Sequence, residues 1–334
     1  MGSSRMKKIV VFLAGTGLAI GCRSPGRSVE TLAPPTTRPV EVLQKPVLDL
    51  TRSGVGFPLD TDLLPSSVSE LKSLLQEAYK TRLGTDASVN VVVQGSEVHD
   101  LDRLEIDLSG QRINGSWLSR PPEDNRNKVS GMSFARVSEL SYIADPLIYT
   151  GYSASMILQA TDARLALIPG PQRNLSLVMY DCASGRAQIR IGLDDLEQGL
   201  VAWLRARGGW GAQVRSIGIR LNSESPYNLS GDLRVELMIL GLPAAFQLVG
   251  RVDVDAGSNL HFTGLNAWGQ NPAGTLVAAF VQTRLDRLNN KAAPFFKLPG
   301  DRVRVTDLIL RLDQDLTIDV SFRGTVTERE KHEF

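Results

Sequence analysis

The sequence predicts an α+β fold dominated by antiparallel sheet, carried behind an export signal and a disordered, proline-rich tether. Three observations predict it. Apolar and polar residues alternate at period two over much of the chain beyond residue 100, the pattern of strands with one buried face rather than of doubly buried parallel strands. Single stretches of helical periodicity interrupt those strands. Ahead of them lie a cationic start, an uncharged apolar run and a segment rich in Pro, Ser, Thr and Arg. Composition agrees: among 334 residues, 42% are apolar and 22% charged, which excludes wholesale disorder and a multi-spanning membrane protein. Lys and Arg number 37 against 36 Asp and Glu, so a net charge of +1 offers nucleic acid no strong field. With 2 cysteines and 3 histidines the chain cannot be a disulfide scaffold and has little for a histidine metal site.

Met6-Lys7-Lys8 precede Ile9 to Ile20, which carry no charge, and this is a secretory signal. The run is short of the roughly 20 apolar residues that span a bilayer. Leu18-Ala19-Ile20-Gly21-Cys22 resembles a bacterial lipobox, with Ala19 where that pattern usually has Leu. The resemblance implies removal of residues 1–21 and a thioether diacylglycerol and an N-acyl chain on Cys22. Two or more chains make a stable membrane anchor. Arg23 rather than Asp follows the cysteine, which points to the periplasmic face of the outer membrane if the host has two membranes. Cleavage removes Arg5, Lys7 and Lys8 and no acid, taking the net charge from +1 to −2. Lipid rather than a basic surface is then the anchoring device. Cys182, left alone, is expected to pack as a small buried hydrophobe at a strand end.

Residues 22–65 hold Pro25, Pro34, Pro35, Pro39, Pro46, Pro58 and Pro65 and read as a tether. Chain statistics give it a reach of about 35 Å. Val47, Leu48 and Leu50 form a candidate edge strand within it. The folded body is expected over 66–324, with a charged tail at 325–334.

The body starts with a helix: Ser67 and Glu70 form a capping box, and Val68, Leu71, Leu74, Leu75, Ala78 and Tyr79 recur at helical spacing. Strands follow at Leu104–Leu108 and Ile189–Leu193. A second helix, Asp194 to Arg207, carries Leu196, Leu200, Trp203 and Leu204 and stops at Gly208-Gly209. Then come strands at Ile217–Leu221 and Leu233–Ile239, a turn at Gly241-Leu242-Pro243, and a strand through Phe246, Leu248, Val252 and Val254. Asp255 to Asn259 turn into Leu260 and Phe262. Gly274 to Asn290 is the third helix. Val303 and Val305 change parity to Leu308, Leu310 and Leu312, which predicts a bulge around Thr306-Asp307. Leu316, Ile318, Val320 and Phe322 complete the set. Ser109 to Met132 fits no element and reads as an insertion.

The chain has no phosphate-binding glycine loop, no His-Glu-x-x-His and no Gly-x-Ser-x-Gly elbow. Asp253, Asp255, Gly257 and Asn259 look faintly like a calcium loop, but Gly264 stands where the bidentate Glu belongs, so a hairpin turn is expected. His99 reads as part of a polar turn and His261 as the polar side of a strand. Asp194-Asp195 is expected to cap the second helix. Trp210 and Trp268 are placed in loops beside helix ends, where such a ring sits at a membrane interface or ligand mouth or, as expected here, folds back as a lid on the local core.

From Tyr180-Asp181-Cys182-Ala183-Ser184-Gly185 into Arg186–Leu193 and Asp194-Asp195-Leu196, the layout resembles the bacterial envelope members of the tubular lipid-binding (TULIP) superfamily. Phe246 to Val252, the late amphipathic helix, and a final strand pair introduced by Phe296-Lys297-Leu298-Pro299-Gly300 resemble it too, the LmeA-like phospholipid-binding proteins above all. The resemblance implies a long, curved antiparallel sheet wrapped around helices, with an apolar groove for acyl chains. It implies no catalysis and no cofactor, because shielding a methylene contributes about 0.8 kcal/mol unaided. The expected ligand is a phospholipid or other apolar molecule. Candidate lining residues are Leu200, Trp203 and Leu204 on the second helix, and Val235, Leu237, Phe246, Leu248, Phe262, Leu308, Leu310, Ile318 and Val320 on strands. The alternative is a structural or adaptor envelope lipoprotein with a filled core. An envelope hydrolase using His99 or His261 ranks third.

Overall fold

The computed structural model describes residues 47–51, 56–84, 88–113, 128–149, 152–169, 175–207, 212–295 and 302–326. The expected signal, Cys22, most of the expected tether, Trp210, Phe296 to Gly300 and most of the expected charged tail lie outside them. The described chain is α+β, with two sheets and three helices.

The first sheet has 11 strands. Its spine is the long hairpin of β6 (Lys128–Tyr149) and β7 (Tyr152–Pro169). Each of these strands is shared between partners along its length. β6 takes β1 (Val47–Thr51) at its start, β4 (Asp100–Asp107) in its middle and β5 (Arg112–Ile113) at its end. β7 takes β9 (Ser184–Gly192) in its first half and β8 (Leu175–Asp181) in its second. β3 (Asn90–Glu97) closes one side against β4, and β2 (Gly56–Pro58) pairs with β8. On the other side β9 pairs with β16 (Asp315–Arg323), which pairs with β15 (Arg304–Leu312). Helix α1 (Val68–Leu83) packs on β3 through Leu71, Leu75 and Tyr79, all buried.

The second sheet runs in chain order, with hairpins linking β10 (Ala212–Asn222), β11 (Asn228–Ile239), β12 (Leu242–Val254) and β13 (Asn259–Gly269), and a helix between β13 and its neighbour β14 (Lys291–Pro294). Helix α2 (Leu193–Arg207) follows β9 without a break and touches β7, β9 and β10, so it joins the two sheets. Helix α3 (Pro272–Leu285) crosses β12 and β13. One hydrophobic cluster runs through both sheets.

Several expectations are met and several corrected. The bulge falls where parity changes, between Val305 and Asp307. Cys182 is fully buried at the end of β8. Ser67 caps α1, its Oγ accepting from the Glu70 amide at 3.2 Å, but the Glu70 carboxylate accepts from Ser66 N–H (2.7 Å) and Oγ (2.6 Å), one residue earlier than a standard box. The strands divide into two sheets instead of one, and β4 and β5 run parallel to β6. Alternation reports only that one face is buried, not which strand lies alongside or in what direction. The candidate edge strand at Val47, Leu48 and Leu50 is β1, paired with β6; also ahead of residue 65, β2 pairs with β8, Phe57 and Leu59 are buried, and Arg82 of α1 forms an ion pair with Asp60. The third helix ends at Leu285, with turns over 286–290. Trp268 lies in β13 rather than a loop and is exposed rather than folded back as a lid.

Candidate ligand-binding face

Cross-strand register puts one set of side chains from the second sheet on a single face. Ile217, Val235 and Phe246 are successive partners, as are Ile219, Leu233, Leu248 and Ala267, and Leu229, Val252 and Phe262. At the middle of this face Gly231 pairs with Gly250. A β-carbon on Gly250 would stand 2.5 Å from Leu265 Cδ2, and one on Gly231 3.2 Å from Leu221 Cδ2. The bare backbone therefore admits two flanking leucines where a bulge interrupts the β12–β13 register between Val249 and Arg251.

Two helices bound the face. α2 seals the outer edge of β10: Glu197 Oε1 accepts from Ile219 N–H at 2.5 Å, and Arg205 Nε and Nη2 donate to Val214 O at 3.2 and 3.1 Å. These contacts occupy backbone groups that an edge strand otherwise offers to another chain. α3 lies on β12 and β13. Asn271 caps it, its Oδ1 accepting from Gly274 N–H at 2.7 Å, and Gln282 Oε1 accepts from Ala267 N–H at 2.6 Å.

Between these walls burial is incomplete. Val235, Ala244, Phe246, Leu260 and Phe262 are buried, yet Leu229, Leu233, Leu237, Leu248 and Val252 are only half-buried. β11 and β12 have partners on both sides, so the centre of their apolar face is where a filled core would exclude water best. The first sheet does so: Leu101, Leu104, Leu158, Leu165, Leu308 and Val320 are sealed.

The candidate lining residues thus separate. Leu308, Leu310, Ile318 and Val320 belong to the closed core of the first sheet, on β15 and β16. Leu200 and Leu204 are on α2, buried and half-buried. The Trp203 side chain lies outside the described residues. Val235, Leu237, Phe246, Leu248 and Phe262 share the apolar face of the second sheet. Sequence reading missed Leu229 and Leu233 as half-open neighbours, since periodicity marks a face and not how fully it is covered.

His99 and His261 each bond to a neighbouring oxygen of the fold. His99 Nδ1 is 2.7 Å from Phe134 O, and the ring stands edge-on to Phe134. It borders an open hollow of about 510 Å³ beside the start of α1, where the Ser66 and Ser67 hydroxyls are engaged by Glu70 and its amide. His261 Nε2 is 2.8 Å from Asp255 Oδ2. Asp255 also accepts from the Asn259 and Gly257 amides, and these bonds hold its carboxyl well below the usual range, the Asn259 amide first and His261 next. Asp255 therefore pins the β12–β13 turn. Asp194 and Asp195 lie in the first turn of α2, where acids suit the helix dipole, and Asp195 accepts from Ser153 N–H and Oγ, both at 3.0 Å, fastening the start of α2 to β7. Another open hollow, about 520 Å³, lies over Gly231 and Gly250 beside Arg220, Asp232 and Arg251.

Among the described residues no group of three or more His, Cys, Asp or Glu side chains is placed to hold a metal, and no helix is long and apolar enough to cross a membrane. No family model, no curated protein and no solved structure matches the chain.

Proposed function

We propose that this is a lipid-anchored envelope protein of TULIP type that binds or shuttles a phospholipid or other apolar ligand, without catalysis, on the half-open face of its second sheet. The observation that carries the reading is the contrast between a sealed first sheet and central leucines of the second sheet left half-buried. Each methylene laid against Leu229, Leu233, Leu237 and Leu248 would leave water, worth about 0.8 kcal/mol apiece, so an acyl chain needs no further chemistry to stay. α2 and α3 would form the rims. Lipid on Cys22 would hold the body at a membrane, on the periplasmic side of an outer membrane in a two-membrane host.

The test is mass spectrometry of organic extracts from the purified exported protein, beside the same protein carrying Leu233→Asp and Leu248→Asp. Stoichiometric lipid in the first and its loss from the folded variant support the reading. Clean protein that takes up no lipid probe sinks it and leaves the adaptor lipoprotein, which the sealed first sheet favours.

A further inference from the structure

Helix α3 is apolar on the wrong side. From Pro272 to Val281 it holds no charged residue. Gly274, Ala278, Val281 and Leu285 face the sheet and are buried, whereas Leu276 and Phe280 face away, 77% and 53% exposed. A helix apolar all round belongs in a core or in lipid, and this one is half in a core. Arg284 stands 5.6 Å from the centroid of the Phe280 ring, the one charge close to the stripe on its own helix.

The β11–β12 hairpin tip repeats the anomaly. Hairpin tips favour Asn-Gly or Asp-Gly because both central residues need positive φ. Here the pair is Leu240-Gly241, with Leu240 at φ 51° and 84% exposed, and Leu242 beside it 62% exposed. A leucine held in the left-handed region, with its side chain in water, stabilises nothing within the fold.

The two features share one end of the second sheet. α3 begins against β12 at Ala245: Gln270 N–H donates to Ala245 O at 2.8 Å, and Ala245 N–H donates to Asn271 Oδ1 at 3.3 Å. Ala245 is three residues from Leu242, about 10 Å along the strand. From there α3 runs back toward Phe262, whose carbonyl accepts from Asn290 N–H just beyond the helix. Leu276 and Phe280, about one and two turns into α3, therefore stand on the order of 15 and 20 Å from Leu242 along the sheet, on the outward side of the helix that starts beside the tip.

We infer that this end, the Leu240–Leu242 tip with the Leu276/Phe280 stripe, is a docking surface for a lipid bilayer. Two arguments select a bilayer over a second copy of the chain. The four side chains expose on the order of 500 Å², short of the ~800 Å² per partner that a stable dimer covers. And only the stretch from Cys22 to Val47 separates the expected acylated cysteine from β1, a root-mean-square reach of about 30 Å, so the bilayer is the apolar surface always within range. The inference rests on the membrane anchoring read from the lipobox and extends the lipid-binding reading by giving the ligand a place of entry. It does not require that lipid be retained on purification.

The test uses the full chain on vesicles of phosphatidylethanolamine and phosphatidylglycerol. Environment-sensitive fluorophores are placed at Leu240→Cys, at Leu276→Cys and, as control, at Ala256→Cys in the β12–β13 turn, about 40 Å away along β12. Quenching by spin-labelled lipid is then read at each site. The expected result is several-fold stronger quenching at 240 and 276 than at 256, cut to the control level when Leu242→Ser and Phe280→Ser are added and circular dichroism shows the fold retained. Equal quenching at all three sites, or a chain that does not associate with the vesicles, overturns the inference. So does cross-linking of position 240 between copies in solution, which assigns the patch to a dimer. Lipid retention on the same preparation is scored separately by mass spectrometry, so a failed dock and an empty face are distinguishable.

Discussion

Gly274→Ala separates two effects of opposite sign. By helix propensity alone, alanine in place of glycine in α3 stabilises by about 1 kcal/mol. The packing opposes it. A β-carbon at 274 would stand 1.9 Å from Ala245 O and 2.7 Å from its carbonyl carbon, both backbone atoms. The closest comfortable carbon–oxygen approach is about 3.3 Å, so α3 must retreat by more than 1 Å. No side chain can swing aside. Overpacking of this kind costs about 1–3 kcal/mol. Retreat also strains the hydrogen bonds from Gln270 N–H to Ala245 O (2.8 Å) and from Ala245 N–H to Asn271 Oδ1 (3.3 Å), worth roughly 1 kcal/mol each. The net expectation is a destabilisation of about 2–4 kcal/mol, read as a fall on the order of 1 M in the urea midpoint. Gly218→Ala is the control: nothing lies within 4 Å of its β-carbon, and its midpoint should move by less than the equivalent of about 0.5 kcal/mol. An unchanged or raised midpoint for Gly274→Ala would refute the close mounting of α3 on β12.

Two further outcomes are expected. Burial pulls the Asp319 carboxyl up, but hydrogen bonds from Arg311, Gln188 and Arg186 together outweigh it and leave it below its ordinary value. Its stabilisation is thus present above pH ~4 and lost as pH falls through the lower folded value; Asp319→Asn should cost about 1–3 kcal/mol at pH 7, with the gap to the native protein narrowing by pH 3 in urea titrations. A gap that stays constant or widens would contradict this. Burial, with the Asp181 carboxylate second, pushes the Cys182 thiol up to about 12, so the folded protein should resist disulfide reagents at pH 8 and react fully once unfolded; rapid labelling of the native state would show the site to be open.

What the sequence made legible was local. Ser67 and Glu70 marked the start of α1, the parity change after Val305 marked a bulge, and Asp255 to Asn259 marked a turn, because each is decided within a few residues. β6 and β7, the longest strands, were not legible. Register shifts between Ser133 and Ala135 and between Ala144 and Leu147 switch parity along β6, and small side chains such as Ala160 and Ala163 weaken the contrast along β7. β1 was marked by Val47, Leu48 and Leu50, but β2 hid in proline-rich sequence, although Pro58 sits on an edge strand, where the missing amide does no harm. On the candidate face, Val235, Leu237, Phe246, Leu248 and Phe262 were picked out by alternation, and it equally picked Leu308 to Val320, which lie in a closed core. Coverage depends on α2 and α3, and no period of the strands encodes where those helices stop.

The chain interleaves its two sheets, and that has a consequence for the order of assembly. β9 lies between β7 and β16, and the whole second sheet is threaded between them in the chain. The four hairpin-linked strands β10 to β13 contact their sequence neighbours and can zip up as soon as they emerge, and β14 joins β13 once α3 has been made. The eleven-stranded sheet must wait, because Ile189 meets Ile318 only after the last strand has been made. A polypeptide built this way leaves one side of β9 unpaired until synthesis is nearly complete, an exposed strand edge open to the wrong partner in the meantime.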